Sequence, residues 1–146
     1  MKRLLALSAV FALAMASAAF AGVQDFGKFT VDVPQGWTGT TQQGTAVITK
    51  NDNSAQLTIS IEDAGGATKK ELAEAFVAEF KKSFSEVSEP VADADGDYSW
   101  DMKTAAGADS HAMLSIEGKD FVLLVITNPQ AAPADLSSML GSIKQK

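Results

Sequence analysis

The chain has no cysteine, one histidine, one tyrosine and two tryptophans. Without cysteine there are no thiol nucleophiles, no zinc–thiolate sites and no cysteine-held iron–sulfur clusters. Disulfides are excluded as well, so stability must come from packing. His111 is the lone imidazole, which rules out a two-histidine metal site within one chain. Asp109, Ser110 and His111 are too compact on a strand to act as a triad. There, Asp109 and His111 share a face while Ser110 points away. The sequence also lacks a Gly-x-Ser-x-Gly elbow, a phosphate-binding loop and a dinucleotide fingerprint. These absences argue against an enzyme. A hydrolase with an unconventional site would need a concave pocket holding strongly perturbed carboxylates.

Long apolar runs are missing too, except at the start. Lys2 and Arg3 form a short basic beginning, and Leu4 to Leu13 is apolar apart from Ser8. Ala14 to Ala21 is rich in small residues and ends Ala19-Phe20-Ala21. This layout predicts a secretory signal peptide over residues 1–21, cleaved after Ala21. Leu4 to Ala21 is at the lower limit of spanning length and much of it is alanine, which fits a cleaved signal better than an anchor. No cysteine is present to carry a lipid. The expectation is a soluble periplasmic or secreted protein with no transmembrane segment after cleavage. Removing 21 of 146 residues leaves 125, the single domain 22–146, enough for one hydrophobic core.

Positive charge is scarce in that domain. All 18 carboxylates follow residue 21, against ten lysines, for a formal charge of −8. Such a chain repels phosphate backbones and anionic lipid surfaces, so no nucleic-acid partner is expected.

Periodicity supplies the elements. Phe29, Val31 and Val33 alternate with polar residues, the pattern of a half-buried strand, and Pro34-Gln35-Gly36 ends it before Trp37. Ala46 to Lys50 and Ala55 to Ile61 read as a hairpin around Asn51-Asp52-Asn53-Ser54. Thr68-Lys69-Lys70-Glu71 has the spacing of a capping box. It opens a helix in which Leu72, Phe76, Phe80 and Phe84 recur every four residues, a stripe suited to docking on a sheet. Tyr98, Trp100 and Met102 share one face of a later strand. Ala112 to Glu117 and Phe121 to Thr127 form a second hairpin around Gly118-Lys119. The run Phe121 to Ile126 does not alternate and should be covered on both faces. Ala134 to Lys144 reads as a closing helix, with Lys144 and Lys146 at its favourable end. The fold class is α+β: a single antiparallel sheet with helices packed against it.

Two groups of residues could carry binding. Asp93, Asp95 and Asp97, with Asp101 beyond, place carboxylates at alternate positions around Gly96, like the opening of a calcium loop. The loop pattern then departs, with Tyr98 at the sixth position and Thr104 at the twelfth. The other reading is a solvated acidic hairpin tip that discourages edge-to-edge pairing. Trp37, Tyr98 and Trp100 form the second group. Trp37 is expected to cap one end of the sheet. Tyr98 and Trp100 would offer a partner or ligand surface if no helix covers them.

Phe29-Thr30-Val31-Asp32-Val33-Pro34-Gln35-Gly36-Trp37, a polar hairpin, Thr68-x-x-Glu71 opening a long helix, a run of strands and a final helix together resemble the PsbP-like/DcrB-like group. That group shares its fold with Ran-binding Mog-type proteins. The resemblance implies an α/β/α sandwich with about six antiparallel strands flanked by helices. It also implies accessory work in binding or assembling larger complexes. The expected function is a soluble periplasmic, non-catalytic binding or accessory protein acting through protein or small-ligand contacts, its partner a periplasmic protein or envelope complex. The alternative is a calcium-binding extracytoplasmic protein using Asp93, Asp95, Asp97 and Asp101. Otherwise no cofactor is expected.

Overall fold

A computed structural model describes residues 21–146. The predicted signal segment lies outside them, apart from Ala21. The chain begins with a hairpin, β1 (Gly22–Asp25) and β2 (Phe29–Val33), turned at Gly27 with φ +96°. Asp25 Oδ1 accepts the Gly27 N–H at 2.8 Å and closes the turn. Pro34 and Gly36 then swing the chain away, and Trp37 N–H bonds back to the Pro34 carbonyl at 3.3 Å.

The strands β3 (Trp37–Gln42) and β4 (Thr45–Lys50) form the next hairpin. Gln43 and Gly44 both have positive φ, 50° and 81°, the geometry that matches the twist of paired strands. Then come β5 (Gln56–Asp63), helix α1 (Lys69–Phe80), two short strands β6 (Glu86–Val87) and β7 (Val91–Ala92), and β8 (Tyr98–Lys103). The long hairpin of β9 (Asp109–Glu117) and β10 (Asp120–Thr127) follows. A single 3-10 turn (Pro129–Ala131) leads into α2 (Pro133–Ser142) and the last strand, β11 (Lys144–Gln145).

The main sheet is antiparallel, in the order β3-β4-β5-β10-β9-β8-β6, with β7 also on β8. Six of its strands run six to nine residues, the expected number, and β6 and β7 are two-residue additions. The single sheet of the sequence reading needs correction. β1, β2 and β11 form a separate three-stranded sheet, because the Pro34–Gly36 turn releases the chain before Trp37 enters the main one. The closing helix also ends earlier than its lysines suggested. Ile143 is extended, at ψ 121°, and Lys144 and Gln145 pair with Thr30 and Phe29. Ser142 makes that exit: its hydroxyl donates to the Met139 carbonyl at 2.8 Å and accepts the Asp32 N–H at 2.9 Å.

Each face of the main sheet carries its own core. On one, α1 lays Leu72, Phe76 and Phe80, with Phe84 just beyond its end, against Trp100, Met102, Leu114 and Leu123. The capping box forms as the sequence implied: Thr68 Oγ1 accepts Glu71 N–H at 3.2 Å, and Glu71 Oε2 accepts Thr68 N–H at 2.9 Å. On the other, α2 and the small sheet bring Phe29, Val31, Val33, Leu136 and Met139 onto Trp37, Ile48, Leu57, Ile59 and Ile61. Strand β10 serves both, with Phe121, Leu123 and Val125 under α1 and Val122 and Ile126 in the second core. That double duty explains why its sequence does not alternate. No helix among the described residues is long and apolar enough to cross a membrane.

Candidate functional site

The three aromatic candidates are packing residues. Trp37 is 0 % exposed, and its Nε1–H donates to Asp135 Oδ2 at 2.9 Å, in the first turn of α2. It is the first residue of β3, the strand at one end of the main sheet. Trp100 is 2 % exposed and lies beneath α1, its ring 6.2 Å from that of Phe80. Among the described residues its Nε1–H has no hydrogen-bond partner. Tyr98 is half-buried against the same core. The phenylalanine stripe of α1 lands on the face these rings share, so the expected aromatic surface is a covered interior.

The acidic segment is tied up in its own turn, between β7 and β8. Asp93 Oδ1 accepts the N–H groups of Asp95 and Asp97 at 2.9 and 3.0 Å, and Asp93 N–H reaches the Asp97 carbonyl at 2.8 Å. Asp97 Oδ1 takes the Lys69 ammonium at 2.6 Å; this bond raises the lysine above its ordinary pKa. Asp101 sits on the sheet face opposite Trp100 and Met102 and bonds His111 Nδ1 at 2.7 Å. The four carboxylates therefore do not converge as a calcium shell requires. No group of three or more metal-ligating acids or histidines occurs among the described residues. The calcium set is corrected to a turn, an ion pair and a cross-strand pair.

What the structure does bring together is the polar side of β8 and β9. The register sets Asp101 opposite His111 and Lys103 opposite Asp109, and Lys103 Nζ meets Asp109 Oδ1 at 3.1 Å. That bond, with the fields of Asp109 and Glu86, holds the Lys103 ammonium above the ordinary lysine range. Strand β6 and Ser88 add a wall. Ser88 Oγ accepts Asp101 N–H at 2.9 Å, and Ser88 N–H bonds the Asp101 carbonyl at 2.8 Å. Between them lies an open depression of about 280 Å³, lined by Glu86, Val87, Ser88, Asp101, Met102, Lys103 and Asp109.

The depression suits recognition better than covalent chemistry. As expected, Ser110 points away from His111; it is 3 % exposed, its hydroxyl 2.9 Å from that of Thr127. The Asp101 side chain is 82 % exposed, so the imidazole pair stands in water. The carboxyl held down to about 2, Asp52, is in the β4–β5 loop, where Ser54 and Lys50 stabilise its charge. The Lys103–Asp109 partnership was the part the sequence reading missed. Its signal is the Gly107 turn, which fixes a register that pairs alternate residues on either side.

No family model matches the sequence, and no curated protein does. Among solved structures, the solution structure of cyanobacterial PsbP (CyanoP) from Synechocystis sp. PCC 6803 is similar, with a TM-score of 0.55 at 11 % identity. The match covers 91 % of this chain and 98 % of that one. A crystal structure from Bacteroides thetaiotaomicron VPI-5482 matches with a TM-score of 0.47 at 14 % identity, over 84 % of this chain and 47 % of that one. The architecture built above, helices on both faces of an antiparallel sheet, is a PsbP-like fold.

Proposed function

We propose that this chain is an exported, non-catalytic binding module that engages a basic segment of an extracytoplasmic protein partner. The observation that carries the reading is the open depression, where Glu86, Asp101 and Asp109 surround one lysine. Those exposed carboxylates can pair with lysine or arginine side chains without the burial cost of an interior ion pair. The −8 charge of residues 22–146 steers a basic partner toward the chain from a distance. The amino-terminal signal pattern supports export. Ser110, the hydroxyl next to His111 in sequence, points to the opposite face and pairs with Thr127, which agrees with non-catalytic work. The PsbP-like fold agrees with this reading, although the function is argued from the site.

Photocrosslinking tests it. A photoreactive phenylalanine analogue at Glu86 is expected to capture one protein, and an analogue at Lys119, on the β9–β10 turn, is not. Equal capture at both positions, or at neither, would reject the reading.

A further inference from the structure

We infer that Lys103 makes the depression select arginine over lysine in its partner, an inference that rests on the reading of that site as a receptor for a basic segment. Glu86 on β6 and Asp109 on β9 both stand directly opposite Lys103 of β8. Residues opposed in this way share a face of the sheet, so one cation lies between two carboxylates in a row across three strands. Lys103 leans to one side of the row. Its Nζ meets Asp109 Oδ1 at 3.1 Å and feels Glu86 only through its field. The place that a partner's ammonium would take beside Asp109 already holds one.

Acceptors for a second cation are left on the other side. Glu86 is exposed. Asp101 is exposed as well, and it gives Oδ1 to His111 while keeping Oδ2. It lies two residues before Lys103 on the same face of β8, and so stands diagonal to Glu86, about 7–8 Å away by the spacing of such pairs. Val87 and Met102 add apolar surface to the lining of the depression.

A guanidinium suits that arrangement. It is planar, carries donors along more than one edge, and so reaches two carboxylates set apart diagonally. It is also weakly hydrated, which eases its approach to Val87 and Met102. A lysine ammonium is compact and strongly hydrated, and acts as a point charge. It must either crowd Lys103, a like charge in the same row, or displace it from Asp109. Without Lys103 the row would offer two carboxylates to any cation, and lysine would enter as well as arginine.

The test is an NMR titration of the isotope-labelled protein, at low salt, with two capped peptides: Gly-Arg-Gly-Arg-Gly and its lysine counterpart. The arginine peptide is expected to bind about tenfold more tightly and to move the amide signals of Glu86, Val87 and Asp101. Lys103 is exposed on the sheet surface, so Lys103→Met and Lys103→Gln should both keep the melting transition. In each, the lysine peptide should gain until the two affinities differ by about twofold or less. Lys119→Met removes the same charge from the β9–β10 turn and should leave the preference unchanged. Equal affinities in the unaltered protein overturn the inference and leave the basic-segment reading standing. So does a preference that survives both Lys103 variants, or one that is lost in Lys119→Met. If neither peptide binds, that reading fails together with the inference.

Discussion

Trp37 and Asp135 stand 98 positions apart in sequence, yet the indole N–H donates to the carboxylate at 2.9 Å. The bond fastens the first residue of β3 to the first turn of α2, at the junction of main sheet and helix. It also satisfies a donor on a ring that is 0 % exposed. Asp135→Ala should cost about 1–3 kcal/mol, because it strands a buried N–H. A double-mutant cycle with Trp37→Phe should give a coupling of about 1.5–3 kcal/mol, as for a bond to a charged acceptor. Denaturant melts of the four proteins measure it, and a coupling near zero would mean the bond contributes nothing to stability.

Phe76 is the centre of the α1 core. It is 1 % exposed, and its ring lies 5.4 Å from that of Phe121 and 6.4 Å from that of Phe80. Phe76→Ala should destabilise by about 3–5 kcal/mol through lost burial and the cavity left behind. Glu74, exposed on the same helix, should tolerate alanine within about 0.5 kcal/mol. Equal losses at the two positions would contradict the docking of this helix.

Asp52 gives a pH dependence with a definite sign. The Ser54 hydroxyl and N–H, then the Lys50 ammonium, lower its carboxyl from 3.8 to about 2. A carboxyl depressed on folding contributes stability above its unfolded value and loses it as pH falls through the folded one. The hairpin should therefore weaken between pH 3.8 and about 2. Carbon-detected NMR titration should find the Asp52 midpoint near the lower figure, and Asp52→Asn should flatten the acid limb of the stability curve. An Asp52 midpoint near 3.8 would refute the assignment.

Calcium should not bind the β7–β8 turn. Asp93 Oδ1 is occupied by two backbone N–H groups and Asp97 by Lys69. Calorimetry at millimolar calcium should show no saturable heat. Saturable heat lost in Asp97→Asn would show that the turn reorganises around a cation.

The fold was legible where one residue's neighbours in sequence decide the outcome. The capping box at Thr68, the stripe of phenylalanines and the unbroken apolar run of β10 all carry local signatures; the box and β10 form as their patterns imply, while the helix ends at Phe80 and Phe84 reaches the same core from the turn beyond it. Strand β3 did not announce itself, because Thr38 to Gln42 is polar with one glycine. Its place depends on pairing with β4 and on Phe26 folding over Gly39. The end of α2 was missed for a similar reason: the lysine-rich tail satisfies a helix-end rule, but pairing with β2 outweighs it. For the site, sequence named Asp101 and set Asp109 and His111 on one face. Only register sets Asp101 against His111 and Lys103 against Asp109. The aromatic candidates went astray because a row of large rings reads alike whether a helix or a partner covers it.

The central claim is that recognition lies on the exposed carboxylates around Lys103 and not on the aromatic face beneath α1. The most direct measurement compares crosslinking yield from position 86 in Asp101→Lys/Asp109→Lys with that in Trp100→Phe, each checked for an unchanged melting transition. Charge reversal is expected to abolish the adduct, and Trp100→Phe is expected to leave it intact. Loss of the adduct in Trp100→Phe, with retention after charge reversal, would contradict the account.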